Sequence, residues 1–566
     1  MEKCPKCGSD SLRDQLACIE ESCPFDSGGQ STKEEDLVLI PIKDLDELDS
    51  LFNDDIVEPP IDLFTEPGKK EYSEPRQIRL TGGKIITLNE QQCEALDLMS
   101  EWWLDKSDLF FVLSGYAGTG KTTITKEFLK FCANRDRMGY GSIAVTAPTH
   151  KAKKVIADAT GQPSATIQSL LGLRPDVDVA DFDVNKPEFA PKKTPSIKYY
   201  RMVVLDEGSM LNKDLWKMLK EQAMRNNVKL LVMLDEAQLP PVKEDLSAVL
   251  TDEQVVYKYQ LTKVERQAGS NPLMGIYDAI RNNIDSKADT FHKESLTLEL
   301  NDVPGIKEAG IKFVTDLQTF GRSVVEAFQS DFFQWDKNYC KVLCWTNARV
   351  LFWNQSIRKT IINTIKPSLT VEQQLHVDVL MPDELVMGYK SYTDGIENSG
   401  EYRILDMQYS SRVLEHTKTD GKGNKSTITR TVNGYRVAME DISQGTILNA
   451  FILEPEREEE EKFVAIFNSY LWAAKVTKAW TPYFGFKSEI LLLRNITDKA
   501  GTLVCGKDLD YAYALSVHKS QGSTYDQVFI DEANINLNRN HTERNKLKYV
   551  AFSRPRYLAT VFTGGV

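Results

Sequence analysis

The chain has 566 residues, 41% of them hydrophobic and 27% charged, with a formal net charge of −13. That length suits about four domains of ordinary size, each able to bury a core. No apolar stretch approaches the roughly 18 residues of a membrane-spanning helix, so composition and patterning describe a soluble globular protein and exclude a helical membrane protein. The acidity is uneven: residues 31–75 hold 14 Asp and Glu against 4 Lys and Arg, which leaves only −3 for the other 521 residues. A near-neutral body can still present a local basic channel, so net charge does not exclude a polyanionic partner.

Four of the nine cysteines fall in the first 23 residues, as Cys4-Pro-Lys-Cys7 and Cys18-Ile-Glu-Glu-Ser-Cys23. Two close pairs of this kind can give four thiolates to one tetrahedral Zn²⁺. A segment with so little apolar content would take its folding energy from the metal, ~10–16 kcal/mol for such sites; the alternative is unligated or disulfide-forming cysteines. The other five read as buried thiols. The opening residues lack a signal-peptide apolar run, which points to a reducing, cytoplasmic setting. Residues 24–75 mix prolines, acids and short aliphatic runs. They read as a solvated linker or as a partner-binding or autoinhibitory strip.

Beyond Leu80 the pattern alternates strands and helices, as in a parallel sheet covered by helices. The apolar run Leu109-Phe110-Phe111-Val112-Leu113 leads into Gly115-Tyr116-Ala117-Gly118-Thr119-Gly120-Lys121-Thr122 and then a helical stretch. Strand, glycine-rich turn and helix in this order make a phosphate-binding loop. Backbone N–H groups wrap an anion at a helix N-terminus, Lys121 reaches the β- and γ-phosphates, and Thr122 holds Mg²⁺. A second strand, residues 143–147, ends in Thr149, His150 and Lys151, a patch suited to backbone phosphates. A third, Met202-Val-Val-Leu205, delivers Asp206 for the metal and Glu207 for the attacking water. A fourth, Leu230-Leu-Val-Met-Leu234, delivers a competing pair, Asp235-Glu236. The first pair is preferred, because Gln238 and the double proline after it make the second resemble a coupling loop.

Taken together these motifs resemble superfamily 1 DNA helicases of the RecD/Pif1 type and, within them, the phage Dda helicase group. Leu88-Asn-Glu-Gln-Gln92 resembles the adenine-reading Q motif, with Gln92 as the reader. The segments Ala147-Pro-Thr-His-Lys-Ala152 and Thr166-Ile-Gln-Ser-Leu170 resemble strand-contacting motifs, with Gln168 where relatives often carry histidine. Asp206-Glu-Gly-Ser209 matches the Walker B motif, and Gln238 falls on a γ-phosphate-sensing glutamine. Leu261-Thr-Lys-Val-Glu-Arg266 carries the first arginine. Leu343-Cys-Trp-Thr346-Asn347 matches the opening of a second RecA-like domain. Val517-His518-Lys519-Ser-Gln521-Gly522-Ser-Thr524 matches a motif touching both DNA and nucleotide, and Tyr549-Val-Ala-Phe-Ser-Arg554 the arginine-finger motif. The motifs span residues 88–556 in the family's order.

The resemblance implies an α/β fold of two RecA-like P-loop domains with small β insertions, a pin and an SH3-like subdomain, plus the small N-terminal zinc element. Expected bounds are 1–30 for the zinc element, 31–75 for the acidic segment and 76–260 for the first RecA-like domain. The pin insertion falls near 172–197. The second RecA-like domain occupies 261–359 and 506–566, interrupted by a mainly β insertion at 360–505. Catalysis is expected from Lys121, Asp206, Glu207, Gln238, Arg266 and Arg554. Nucleotide contacts are expected from Gln92, Gly115, Ala117, Gly118, Thr119, Gly120, Thr122, Gln521 and Gly522. Strand contacts are expected from Thr149, His150, Lys151, Thr166, Thr346, Asn347, His518, Lys519 and Thr524. Phe182 or Phe189 is placed either at a duplex junction or as an anchor of the pin. The aromatic cluster Trp472, Trp480, Tyr483, Phe484 and Phe486 either stacks on bases or, the favoured reading, packs the insertion.

The expected activity is an ATP-dependent DNA helicase moving 5′ to 3′ on single-stranded DNA in replication, recombination or repair, using ATP and Mg²⁺, with Zn²⁺ at the N-terminus. The alternatives are a translocase or RNA helicase that remodels complexes, and a recruitment module acting through residues 1–75 on a replisome or single-strand-binding protein. Single-stranded DNA and single-/double-strand junctions are the expected partners, and a monomer the expected motor. The setting is the host cytoplasm if the protein is phage-encoded.

Overall fold

The computed structural model describes residues 76–79, 85–136, 141–148, 156–157, 160–175, 189–191, 193–241, 244, 247–264, 272–289, 291–300, 303–389, 396–419 and 425–564. Cys4, Cys7, Cys18, Cys23 and the acidic segment at 31–75 lie outside them. The chain divides into two compact units, Met1–Glu90 and Gln91–Val566. In the first, β1 (Gln77–Arg79) pairs antiparallel with β2 (Ile85–Thr87). Helix α1 (Glu90–Leu104) follows.

In the second unit α1 is followed by β3 (Phe110–Gly115), α2 (Lys121–Asp136), β4 (Ile143–Ala147), β5 (Ser164–Thr166) and the short α3 (Ile167–Leu170). A hairpin of β6 (Leu173–Pro175) and β7 (Phe189–Pro191) comes next. Then come β8 (Met202–Leu205), α4 (Lys213–Asn226), β9 (Lys229–Leu234) and β10 (Tyr257–Leu261). Strands β10-β3-β9-β8-β4-β5 form one sheet, and every neighbouring pair is parallel. A parallel sheet is covered on both faces, so its strands read as continuous apolar runs. Phe111, Trp102 and Phe128 are buried on one side, and Trp216, Leu219 and Val203 in a separate cluster.

At the base of the β6–β7 hairpin Gly172 has φ +66°, and a Cβ there would lie 2.2 Å from the Lys193 carbonyl oxygen. Only glycine permits that approach. In the hairpin register Phe189 stands opposite Pro175, and Phe182 lies outside the described residues.

The second lobe contains α5 (Leu273–Asn282), β11 (Leu296–Glu299), β12 (Glu308–Val314), α6 (Leu317–Gln329), α7 (Asp331–Trp335), β13 (Cys340–Cys344) and α8 (Asn347–Ile365). After α9 (Val371–His376) the chain leaves for an insertion of β14 (Leu385–Gly388), β15 (Glu401–Thr419), β16 (Lys425–Asp441), β17 (Ile447–Leu453), α10 (Arg457–Thr477), α11 (Thr481–Ser488), β18 (Ile496–Thr497), β19 (Leu503–Cys505) and β20 (Leu509–Tyr511). It returns with β21 (Ala514–Ser516), β22 (Tyr525–Asp531), α12 (Glu532–Ile535), α13 (His541–Phe552) and β23 (Pro555–Phe562). The lobe's sheet runs β11-β12-β23-β22-β13-β21, parallel except for the edge pair β11–β12.

Within the insertion, expected to be mainly β, residues 457–488 form two helices. Its sheet, β17-β16-β15-β14-β20, is antiparallel and reaches past residue 505 to β20. Its cover, however, is helical. The acids Glu458, Glu459 and Glu460 sit in the first turn of α10, where negative charge complements the helix dipole. Phe463, Ile466 and Phe467 then recur at helical spacing and are fully buried. The aromatic cluster packs: Trp480, Tyr483 and Phe486 are buried in the same core as Phe463 and Phe467, Phe484 packs against it, and Trp472 is 56% exposed.

Buried ion pairs join the insertion to the second lobe. Lys341 on β13 donates to Glu401 Oε2 at 2.7 Å and to the Ala512 carbonyl at 2.8 Å, and Tyr525 donates to Glu401 Oε1 at 3.1 Å. Arg358 on α8 grips Glu384, which also accepts from Tyr513. Removing one partner of a buried pair strands the other charge and costs about 3–5 kcal/mol. Glu401→Ala is therefore expected to lower the unfolding free energy by that amount, while Lys341→Met combined with Glu401→Leu recovers most of it, as read by urea unfolding.

Candidate functional site

The C-terminal strand ends of the first sheet, where open α/β sheets hold their ligands, meet the second lobe at the segments that precede its β22 and β23. On the first lobe, β3 ends at Gly115 and the loop turns through Gly118 (φ 83°) and Gly120 (φ 89°) before α2 starts at Lys121. A side chain at 115 would press on Thr119 Oγ1 at 2.8 Å and on the Leu261 carbonyl at 3.1 Å. Lys121 folds over the loop, its ammonium donating to the carbonyls of Gly115 and Tyr116. Gln92 is buried under the loop and donates to the Thr119 carbonyl at 3.1 Å. A Cβ at Gly120 would meet its amide nitrogen at 2.7 Å. In this conformation Gln92 braces the loop. Its neighbour Gln91 accepts from the backbone N–H groups of Thr262 and Lys263, both at 3.0 Å, and so ties α1 to the segment leading toward Arg266. Arg266 itself lies outside the described residues.

Asp206 and Glu207 follow β8. Asp206 accepts from the Glu207 N–H at 2.9 Å. Glu207 has φ 53° and ψ 39°, a left-handed conformation that costs a non-glycine residue roughly 1–2 kcal/mol. Gly208 has no room for a side chain, since a Cβ would lie 2.5 Å from Val232 Cγ1. The next residue, Ser209, is buried with its hydroxyl unpartnered. Burial pushes both carboxyls above the usual range. Glu207 rises to about 7, from burial first and the Asp206 charge second, with Arg554 and Lys121 drawing it back down.

After β9, Asp235 is buried and engaged. Its Oδ1 accepts from the Ala237 N–H at 3.0 Å, and its Oδ2 accepts from the Tyr549 hydroxyl at 2.9 Å. Gln238 is buried beside it and accepts from Gln521 Nε2 of the other lobe at 3.4 Å. Gly522, at φ 73°, turns the chain there. Arg554 follows α13 and is buried; its guanidinium donates to the carbonyls of Ser520, Ser523 and Val550 and to the Ser553 hydroxyl. A cavity of about 210 Å³ adjoins Ala117 of the loop and is lined by Val264, Thr524, Ser553 and Arg556. Thr524, expected on the strand path, lines this cavity.

The other expected strand contacts separate by lobe. Thr166 ends β5 and caps α3, accepting from the Ser169 N–H. Thr346 caps α8 and exchanges hydrogen bonds with Asn534, and Asn347 beside it is exposed. His518 and Lys519 form a turn directly after β21, the strand next to β13, so these four residues neighbour one another at the ends of adjacent strands. Burial lowers the His518 pKa; it also lowers that of Lys519, to about 8, with Lys507 adding to the shift. The insertion contributes here too, with Lys519 3.5 Å and Lys507 4.4 Å from the centre of the Tyr389 ring. Thr149, His150, Lys151 and Phe182 lie outside the described residues.

Sequence reasoning assigned no role to Tyr549 or Gln91, and it weighed Asp235 only as a competing metal ligand. The signal for the first is a tyrosine beside the apolar run Val550-Ala551-Phe552, five residues before Arg554, since a buried hydroxyl demands a partner.

A glycine loop, an acidic pair at the end of a strand of the same sheet and an arginine from the lobe of a second sheet define a two-lobed P-loop nucleotide hydrolase. The family models agree: an AAA domain matches residues 87–296 and a UvrD-like helicase C-terminal domain matches 511–561. The chain is 25% identical over 495 residues to the ATP-dependent DNA helicase Dda of Enterobacteria phage T4, covering 83% of this chain and 98% of that one. It is 30% identical over 227 residues to the ATP-dependent RecD2 DNA helicase of Deinococcus radiodurans, covering 40% of this chain and 27% of that one. A crystal structure of Pif1 helicase from Candida albicans aligns over 84% of this chain and 94% of its own, at 18% identity and a TM-score of 0.40. The matched domains and these relatives support a superfamily 1 helicase of the RecD/Pif1 type.

The raised Glu207 carboxyl has a consequence for stability. The unfolded chain releases this proton near 4.5 and the folded chain near 7, so the group's contribution to stability falls as pH rises through that window. Glu207→Gln removes the charge and keeps the shape. Without nucleotide or Mg²⁺ it is expected to raise the thermal midpoint over the native chain at about pH 8 and to leave it unchanged near pH 4.5, as scanning calorimetry would read it.

Proposed function

We propose that the chain hydrolyses ATP in the cleft between its lobes and uses the cycle to move along single-stranded DNA, 5′ to 3′, opening duplex ahead of it. The observation that carries this reading is the convergence of Lys121, Asp206, Glu207 and Gln238 from one lobe with Gln521 and Arg554 from the other, with Glu207 in the electrostatic field of both Lys121 and Arg554. The donor set fits the substrate. The loop glycines leave space that a Cβ would fill, and Thr122 and Asp206 are the residues to hold Mg²⁺, which when bound neutralises charge on the phosphates. Glu207, ionised above about pH 7, orients the attacking water and takes its proton. Arg554 supplies positive charge to the transferring group only when its lobe is in place, so closure and hydrolysis become one event.

Strand contacts would come from Thr166 on the first lobe and from Thr346, Asn347, His518 and Lys519 on the second. Contacts to phosphate are indifferent to sequence, as tracking requires. The names of the phage T4 and Deinococcus relatives, both ATP-dependent DNA helicases, support DNA over RNA. The direction rests on the motif resemblance, and zinc at Cys4, Cys7, Cys18 and Cys23 rests on their spacing.

The test is ATP-dependent unwinding of matched duplexes carrying a 5′ or a 3′ single-stranded tail. Unwinding from the 5′ tail alone, abolished by Lys121→Ala, is the expected result; strand-stimulated hydrolysis without unwinding would make the protein a translocase. Arg554→Ala is expected to lower strand-stimulated kcat by about a thousandfold or more with a smaller effect on ATP binding, measured by steady-state hydrolysis and nucleotide titration.

A further inference from the structure

Tyr549 lies on α13 of the second lobe, buried to 1% exposure, yet its hydroxyl belongs to the first. It accepts a hydrogen bond from the Ala117 N–H of the glycine loop at 3.1 Å and donates its proton to Asp235 Oδ2 at 2.9 Å. From Asp235 the connection continues. Gln238 Nε2 donates to the same carboxylate oxygen at 3.5 Å, and its Oε1 accepts from Gln521 Nε2 at 3.4 Å. Gln521 adjoins the turn that carries His518 and Lys519. A single hydrogen-bonded series therefore runs from a loop amide to the strand-facing turn and crosses between the lobes at Tyr549 and again at Gln521.

Three features mark this as a coupling element in addition to core filling. Loop N–H groups are the groups a glycine loop offers to phosphate, and here one of them is satisfied by a side chain of the opposite lobe. The first two links are of ordinary length. The last two lie at the limit of hydrogen-bond reach, so a displacement of a few tenths of an ångström between lobes makes or breaks them. The loop is also clamped to the second lobe next door, where Arg281 of α5 stacks 4.1 Å over the Tyr116 ring.

We propose that Tyr549 is a positioning residue that couples occupancy of the nucleotide loop to the strand-gripping turn, acting through Asp235, Gln238 and Gln521. This rests on the proposed strand-stimulated ATP hydrolysis. Nucleotide entering the loop competes for, or tightens, the Ala117 N–H; the Tyr549 hydroxyl shifts with it; and Asp235 then holds Gln238 in or out of register with Gln521. Strand bound at His518 and Lys519 acts on the same series from its other end, as reciprocal coupling requires.

The test is Tyr549→Phe in the full chain, which keeps the ring and removes only the hydroxyl. Steady-state ATP hydrolysis is measured with and without an oligothymidylate strand, alongside the thermal midpoint. The expected result is a fall of about tenfold in the ratio of stimulated to unstimulated kcat, the size of a typical coupling between sites, with KM for ATP changed by less than about threefold. The double variant Tyr549→Phe, Gln521→Ala should lose no more stimulation than the worse single variant, because both cut one series. Stimulation retained in Tyr549→Phe overturns the proposal. So does an equal loss with and without strand accompanied by a raised KM, which would make the hydroxyl part of nucleotide binding alone. An additive double variant overturns it too. If the native chain itself shows no stimulation by strand, the functional reading fails instead, and the two failures are told apart.

Discussion

A glycine-rich turn presents backbone N–H groups that neither its strand nor its helix can use, and buried amides must find acceptors. That requirement organises the molecule. It places the loop at the C-terminal edge of a parallel sheet, calls for an anion there and, at Ala117, recruits a hydroxyl from the opposite lobe. Lys121 answers the same geometry by folding onto the loop carbonyls, and Gln92 by bracing Thr119 from beneath. The acidic pair at 206–207 is then tolerated in a buried setting because Lys121 and Arg554 stand close enough to lower the cost of its charge.

The two lobes are alike in plan and unlike in what they carry. Among the described residues the first adds to its helix-covered parallel sheet one hairpin, at Gly172. The second accommodates a long antiparallel sheet and two helices between β13 and β21, strands that are sheet neighbours although the insertion separates them in sequence. Such an insertion needs an anchor at its root. Lys341 with Glu401 and Arg358 with Glu384 provide it, buried pairs whose geometry fixes direction as well as attachment. The side of the root facing the strand-contact turn also brings Tyr389 and Lys507 against Lys519, so the insertion borders the region where phosphate contacts are expected.

Much of this was legible in the residues because it is local. A loop of eight residues between an apolar run and a helix declares its chemistry without reference to anything distant, and so does an acidic pair after Met202-Val-Val-Leu205. The alternation of strand and helix likewise led to two parallel sheets. The helices at 457–488 were not singled out within the insertion, although Phe463, Ile466 and Phe467 carry the helical period and Glu458 to Glu460 mark a helix start. Tyr549 with Ala117, 432 residues apart, and Gln238 with Gln521 were out of reach for a different reason. Each is an ordinary polar or aromatic residue whose partner is supplied only by the docking of two separately folded sheets.

The apolar contacts beside the cleft have a consequence in temperature. Tyr116 of the glycine loop packs against the second lobe's hydrophobic core, and Ala237 and Leu239 of the coupling loop are buried within it. Parting the lobes at this point exposes apolar surface to water, and hydration of such surface raises the heat capacity. The attraction that holds the lobes together therefore weakens on cooling, whereas the hydrogen bonds beside it are less affected. Closure of the two lobes that rests partly on such contacts is weaker in the cold.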